Sequence, residues 1–120
     1  MVLKIKNGEL AEYVSRLDEV MKDKIQLPVK VSYKIVKNKL AIEEAMKAFR
    51  IMHDQIINDH SNGEGQIAKD NPEFNEVVKE IAVINNEETE VNLDAISISE
   101  FGRKDVPLDL ISALGFMLEE

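Results

Sequence analysis

Apolar residues recur at alternating spacings of four and three in a long stretch between Pro28 and His60. This heptad-like spacing places them on one helical face, and the fixed φ of Pro28 suits the first turn. The pattern predicts a central helix over residues 28–58, about 46 Å long, in a domain whose compact diameter is roughly 35 Å. The predicted seam consists of Val31, Ile35, Asn38, Ile42, Ala45, Phe49, Met52 and Ile56.

The beginning of this stretch carries a second periodicity, in which apolar and polar residues alternate as they do in a strand. The alternating apolar residues are Val29, Val31, Tyr33 and Ile35. Residues 29–35 are therefore open to either structure. We favour helix, because the seam continues in phase through Asn38 and Ile42.

Three shorter helices are predicted around the central one. Helical spacing of apolar residues indicates the first over residues 9–22, with Asn7 as a suitable cap. Asn71 and Pro72 open the next, which ends near residues 85–86, and Pro107 opens a last helix that continues through Leu118. The helix over residues 71–86 has the right length to pack along the second half of the central helix.

Two short segments, residues 2–6 and residues 88–93, alternate as strands do. Both lie next to ends of helices that meet near the middle of the central helix, so we expect them to pair. The predicted fold is α+β and mostly helical, with one domain over residues 1–120. Connections are predicted at residues 23–27, 61–70 and 102–106, and the polar, glycine-containing segment 61–70 is the expected site of first proteolytic cleavage.

The composition fits one soluble domain: the chain has 120 residues, of which 44% are hydrophobic and 32% charged. With no cysteine, it has no disulfide and no thiolate metal site. No stretch approaches the ~18 apolar residues of a membrane span, and the first residues lack the apolar run of a signal peptide. We therefore expect a cytoplasmic protein that does not enter a membrane.

The net charge of −8 is unevenly placed along the chain. Residues 1–60 carry 11 basic and 9 acidic side chains, whereas residues 61–120 carry 4 basic and 14 acidic ones. An acidic half repels phosphate groups and disfavours direct binding of nucleic acid. Two interpretations of the acidic half are open: a solvated surface that increases solubility, or a face that docks on a basic protein.

Candidate catalytic and metal-binding residues are few. His53 and His60 lie seven residues apart, about 10 Å along a helix, which is too far for one metal ion. Neighbouring carboxylates such as Glu43 and Glu44 do not share a helical face, and no serine or cysteine nucleophile has a recognisable context. We expect no enzyme activity, no metal and no cofactor.

Polar residues within the central helix suggest contacts with other surfaces. Lys30, Lys34 and Lys37 stack on one side near its beginning, where cations oppose the helix dipole. Their placement is accidental, or they meet an acidic surface of this chain's own C-terminal half or of a partner. Asn38 interrupts the apolar seam, either to set the register of an oligomer or because the seam reaches solvent there.

The segments LKIKNGELAEYVSRLDEVM and LPVKVSYKIVKNKLAIEEAMKAF, with EVNLDAISISEF and DVPLDLISALGFMLEE further on, cover most of the chain. In layout they resemble a class of short uncharacterised proteins of tailed phages and prophages. The resemblance implies the cytoplasm of a bacterial host cell and assigns no functional residues.

The predicted function is protein–protein interaction: a small assembly or accessory factor of phage origin that associates with itself. The seam of the central helix supplies the interface, because its second half has apolar residues beyond what one neighbouring helix covers. An acidic inhibitor of a basic, nucleic-acid-binding cleft is the first alternative, and a small-ligand-binding protein the second. The candidate interaction residues are Ile42, Phe49, Met52, Ile56, Asn38, Lys30, Lys34 and Lys37.

Overall fold

One long helix, α2 (Val29–His60), runs through most of the molecule. Its 32 residues correspond to about 48 Å at 1.5 Å per residue. The computed structural model describes residues 1–22, 27–61, 65–102 and 106–119, and it measures 59 × 27 × 20 Å. Its radius of gyration, 18.1 Å, exceeds the ~14 Å of a compact chain of this length. Because α2 begins at Val29, the helical interpretation of residues 29–35 is confirmed.

The buried face of α2 follows the predicted seam at first and then departs from it. The buried residues are Val31, Ile35, Asn38, Ile42, Met46 and Ile56. Met46 replaces the predicted Ala45, and Met52 is 45% exposed. An α-helix has about 3.6 residues per turn, so a strict seven-residue pattern rotates by about 20° per heptad away from a fixed direction. Ala45 is half-buried beside Met46 and still packs on the core, and the exposed Met52 belongs to the half of the seam that was expected to lack full cover within the chain.

Helix α1 (Leu10–Lys22) packs on α2, and its buried residues are Leu10, Leu17 and Val20. Helix α3 (Phe74–Asn86) packs on α2 as well, and it also contacts the turn at Asn7–Glu9 that follows the first strand. This contact returns α3 to the region where α1 begins, as the sequence predicts.

Strands β1 (Val2–Lys6) and β2 (Glu88–Asn92) form an antiparallel pair, as predicted, with Leu3 opposite Val91. Asn7 does not cap α1, so this part of the prediction is wrong. Its side-chain amide donates to the Ile84 carbonyl at 2.9 Å, and its oxygen accepts the Thr89 hydroxyl. Asn7 instead joins β1 to α3 and β2.

The C-terminal helix is shorter than predicted. α4 (Leu108–Leu114) ends before Gly115, a single 3₁₀ turn follows, and β4 (Leu118–Glu119) then pairs in parallel with β3 (Ile96–Ser97). Glycine is a poor helix residue, and the bend after it buries Met117 completely. The predicted continuation of this helix through Leu118 is wrong.

The predicted connections at 23–27, 61–70 and 102–106 fall largely or partly outside the described residues. Leu27 belongs to the group of half-buried residues that pack on the core. The core itself lies between α1, the first half of α2, the β1–β2 pair and the C-terminal segment. Its members include Ile5, Leu17, Ile35, Val91, Ile96 and Leu114.

Candidate functional site

The apolar residues predicted to form an interface differ in their placement. Ile42 is fully buried in the core of the same chain, and Ile56 is buried as well. Phe49 is half-buried, and together with the exposed Met52 it lines an open cavity of about 270 Å³. Of these four side chains, Met52 is thus the most accessible to a partner.

The lysines at the beginning of α2 contact the C-terminal half of the same chain. Lys34 Nζ lies 2.7 Å from Glu100 Oε1 and donates to the Ala95 carbonyl at 3.0 Å. Lys37 Nζ lies 2.8 Å from Asp94 Oδ2. Of the alternatives left open by the sequence, contact with the chain's own acidic half is the one observed for Lys34 and Lys37. Lys30 is exposed.

These ion pairs shift the pKa values of their members. A hydrogen bond from Lys37 lowers the pKa of Asp94, and the same contact raises the pKa of Lys37. The pKa of Glu100 is lowered by the hydrogen bond from Lys34 and next by the one from the Ser97 backbone. Both carboxylates are therefore charged at neutral pH. Their ion pairs with Lys34 and Lys37 hold the segment after β2 against α2.

Asn38 is 1% exposed, although it lies in the middle of α2. Its Nδ2 donates to the Asp94 carbonyl at 2.9 Å and lies 3.2 Å from Met117 Sδ, and its Oδ1 accepts the Asp94 N–H at 2.7 Å. The side chain thus binds both peptide groups of one residue, as a neighbouring strand would. It does not reach solvent, and its partners belong to the same chain.

A second apolar surface of α2, which sequence reasoning missed, lies opposite the buried face. We call it the outer stripe. Its members are between 39% and 85% exposed and follow one another at spacings of four, three and four residues. They are Val29, Tyr33, Val36 and Leu40. The spacing was the available signal, but two of these residues had been interpreted only as part of a possible strand.

The first half of α2 is consequently apolar on two opposite faces. A helix that is apolar all round is normally buried, whereas a helix at a protein surface normally has one apolar stripe. Beside the outer stripe, Val29, Tyr33 and Lys34 line a hollow of about 430 Å³ that extends to Asp94. The Lys37 ammonium lies 5.7 Å from the centre of the Tyr33 ring. The outer stripe is the candidate functional site.

The two histidines have different surroundings. His53 is half-buried and its Nδ1 lies 3.4 Å from the neighbouring Asp54. His60, in the last turn of α2, places Nε2 at 2.8 Å from Glu80 of α3 and Nδ1 at 3.3 Å from Glu73. Through its contact with Glu80, His60 connects α2 to α3.

No group of three or more metal-ligating side chains gathers in the described part of the chain.

We expect the stability of the α2–α3 contact to depend on pH through His60. Hydrogen bonds to Glu80 and then to Glu73 raise the pKa of His60 above its ordinary value of 6.5. The stabilisation is therefore complete below pH 6.5 and decreases as pH rises through the raised pKa. Urea unfolding of the protein and of His60→Gln should differ more in mildly acidic than in alkaline buffer.

The control for this measurement is His53→Gln, because His53 contacts only a residue of its own helix through its ring nitrogen. We expect its unfolding free energy to follow that of the unsubstituted protein at both pH values. An equal effect of His60→Gln in acid and in alkali would contradict the proposed role of the charged ring.

None of the described helices combines the length and the apolar character that a bilayer span requires. Comparison with protein-family models, with curated proteins and with solved structures found no match. The resemblance to short phage and prophage proteins therefore stays a prediction, and the functional argument rests on the molecule itself.

Proposed function

We propose that this protein is a non-catalytic protein–protein interaction module that associates with itself through the outer stripe. One observation carries the proposal: Val29, Tyr33, Val36 and Leu40 form a continuous apolar surface on the side of α2 that faces away from the core. Contiguous apolar patches on soluble proteins commonly mark interaction sites. A protein whose exposed apolar surface binds a second copy can act as an assembly or accessory factor, and we include this role in the proposal.

The order of side chains along the outer stripe suits a second copy in antiparallel orientation. Val29 then lies opposite Leu40 of the other copy, and Tyr33 lies opposite its Val36. Each smaller side chain thus faces a larger one, which allows two helical surfaces to interdigitate. A two-fold axis near the middle of the stripe makes this contact closed, so that the product is a dimer.

The charges beside the outer stripe are compatible with this contact. Lys37 is paired with Asp94, and Lys39 Nζ lies 2.6 Å from Asp18 of α1. Because these ammonium groups have carboxylate partners within their own chain, two lysine-bordered surfaces approach each other at reduced electrostatic cost. Salt also screens the repulsion between exposed lysines of the two copies.

The expected dimer is weak. Four side chains provide less apolar surface than the ~800 Å² per partner of a standard stable interface. Only the free energy left after the loss of translational and rotational freedom appears as affinity. We therefore expect dissociation constants in the micromolar range or above, and an equilibrium that depends visibly on protein concentration.

Sedimentation velocity from low micromolar to near-millimolar concentration tests the proposal. We expect the unsubstituted protein to shift from monomer to dimer and Leu40→Asp to remain monomeric, since the two-fold symmetry places an aspartate against Val29 at both ends of the contact. Ile51→Asp is the matched control, because Ile51 is an exposed apolar residue of the same helix outside the stripe. A protein that stays monomeric throughout, or equal effects of both substitutions, would refute the proposal.

The absence of cysteine allows the orientation to be tested by cross-linking. A mixture of the Tyr33→Cys and Val36→Cys variants should form a mixed disulfide dimer under mild oxidation, because antiparallel pairing places these positions opposite each other. Leu40→Cys alone should cross-link poorly, since Leu40 then faces Val29. Preferred Leu40→Cys homodimers would indicate parallel packing and would exclude the proposed geometry.

The alternative of an acidic inhibitor requires carboxylates that converge on one accessible face. Asp94 and Glu100, which belong to the acidic half, instead form ion pairs with Lys37 and Lys34 of α2 in the same chain. Part of the acidic half thus neutralises the chain's own basic residues, and for this reason we favour self-association.

A further inference from the structure

β2 has one backbone edge without a strand partner. Met1 and Leu93 exchange hydrogen bonds of 2.9 and 2.8 Å, and Leu3 lies opposite Val91 in the same register. Reciprocally bonded pairs alternate in an antiparallel ladder. The odd-numbered residues of β2 therefore bond to β1. Glu88, Glu90 and Asn92 direct their N–H and C=O groups to the opposite side.

The contact between Asn38 and Asp94 shows what this free edge faces. Asp94 is the next residue in the outward series after Asn92, and both its peptide groups bond to the Asn38 side chain of α2. The free edge of β2 is thus directed towards α2. At Asp94 an amide side chain occupies the position that a third strand would take.

Among the described residues beyond Asn38, no other side chain of α2 binds the peptide groups of this edge. Ala41 and Ala45 face β2 across a cavity of about 380 Å³, which Thr89, Glu90, Val91 and Asn92 line from the other side. A second cavity of about 270 Å³ continues along Ala45, Ala48, Phe49 and Met52. Both cavities share Glu44, Ala45 and Thr89, and we call the combined feature the edge groove.

The backbone groups at the edge groove are without protein partners. Within the described ranges, the N–H and C=O groups of Glu90 and Asn92 form no hydrogen bond to another element. On the facing wall, the side chains of Ala41 and Ala45 cannot supply one, and the Glu44 carboxylate is paired with Lys47 of its own helix. An added strand would satisfy these groups while placing every second side chain over the apolar wall.

The charge at the rim of the edge groove selects the chemistry of the added strand. Glu88 and Glu90 are exposed and lie opposite Lys6 and Lys4 of β1. Among the residues that the structure describes, neither carboxylate lies within 4.0 Å of a basic nitrogen. In a strand added at the free edge, every second side chain would lie next to these glutamates on the same face of the sheet. Lysine or arginine is favourable at these positions because its charge is opposite.

We propose that the edge groove docks an extended segment of a partner protein, which joins β2 as a third strand. The segment alternates basic residues, placed beside Glu88 and Glu90, with apolar residues that pack on Ala45, Phe49 and Met52. Affinity comes from the backbone bonds and from burial of the apolar residues. The pattern of charges supplies specificity. This surface is separate from the outer stripe.

The test uses ¹⁵N-labelled Leu40→Asp protein, in which self-association through the outer stripe is blocked. The probe is a blocked hexapeptide, KVKVKV, with EVEVEV and KKKVVV as controls for charge and for alternation. We expect KVKVKV alone to slow hydrogen exchange at the outward amides of Glu90 and Asn92 at least tenfold. The Val91 amide, which already faces β1, should change much less.

Two proline variants provide a matched pair. Glu90→Pro removes an outward N–H of β2, and Lys4→Pro removes an outward N–H of β1; neither group belongs to the β1–β2 ladder, so both variants should keep that pair. We expect Glu90→Pro to weaken peptide binding at least tenfold and Lys4→Pro to leave it within about twofold, since one added strand depends on few backbone bonds.

Several outcomes would overturn the proposal. These are no binding of KVKVKV up to millimolar concentration, equal binding of EVEVEV or KKKVVV, and protection at the outward amides of β1 instead of β2. Each is independent of whether the unsubstituted protein dimerises. If Leu40→Asp were unstable, the unsubstituted protein at a concentration where it is monomeric would serve for the same experiment.

Discussion

Replacement of Asn38 by leucine is expected to lower the free energy of unfolding by about 2–4 kcal/mol, because it leaves two peptide groups without partners. The Asn38 amide binds both the N–H and the C=O of Asp94, and Asn38 is almost completely buried. Leucine has the same branching at Cγ but larger methyl groups, so both hydrogen bonds are lost and crowding of the buried site adds to the cost. Urea unfolding measures the change.

Hydrogen exchange provides a local readout for the same variant. The Asp94 amide donates to Asn38 Oδ1 at 2.7 Å, and its protection should disappear in Asn38→Leu before the protein unfolds. Asn58→Leu is the control, since Asn58 is an exposed asparagine of the same helix. A loss below about 0.5 kcal/mol for Asn38→Leu, equal to an ordinary surface substitution, would mean that this contact is unimportant.

Replacement of Ile42 by alanine is expected to cost about 2–5 kcal/mol of unfolding free energy, the range for deletion of a large aliphatic side chain in a packed core. Ile42 is fully buried with Ile35 and Leu17 in the same cluster, so its removal leaves a cavity. Met52→Ala, ten residues further along α2, should cost less than about 1 kcal/mol because the Met52 side chain is largely exposed.

This comparison separates a core residue from a surface residue that the sequence placed on the same seam. Both variants should be measured in the Leu40→Asp background, so that dimerisation does not contribute to the unfolding free energy. Similar losses for Ile42→Ala and Met52→Ala would contradict the different burial of these two side chains in the structure.

Local periodicity was sufficient to predict α1, α2, α3 and the first sheet, but not the end of α4. α2 was predicted at residues 28–58 and extends from Val29 to His60, and the segments that form β1 and β2 were expected to pair. These features are encoded by the spacing of neighbouring apolar residues, which any single sequence displays. The β3–β4 pair was missed because each strand has two residues, too few for an alternation to appear.

The apolar pattern did not identify the partners of individual polar side chains in distant parts of the chain. Asn38 binds Asp94, 56 residues away, and neither of the roles expected for a polar residue in a helical seam describes this contact. Lys34 was recognised as part of a basic cluster, but its partner Glu100 is 66 residues away. A hydrogen-bond donor in the sequence shows that a partner is needed and does not identify it.

The apolar residues of α2 and their spacings are determined by the sequence alone, and so is the existence of two apolar faces in its first half. Which face is buried was decided only by the tertiary structure. Helical periodicity assigns each residue an angle around the axis, whereas burial depends on which angle the neighbouring elements occupy. Here α1, the β1–β2 pair and the C-terminal segment cover Val31 and Ile35, and they leave Tyr33 and Leu40 in solvent.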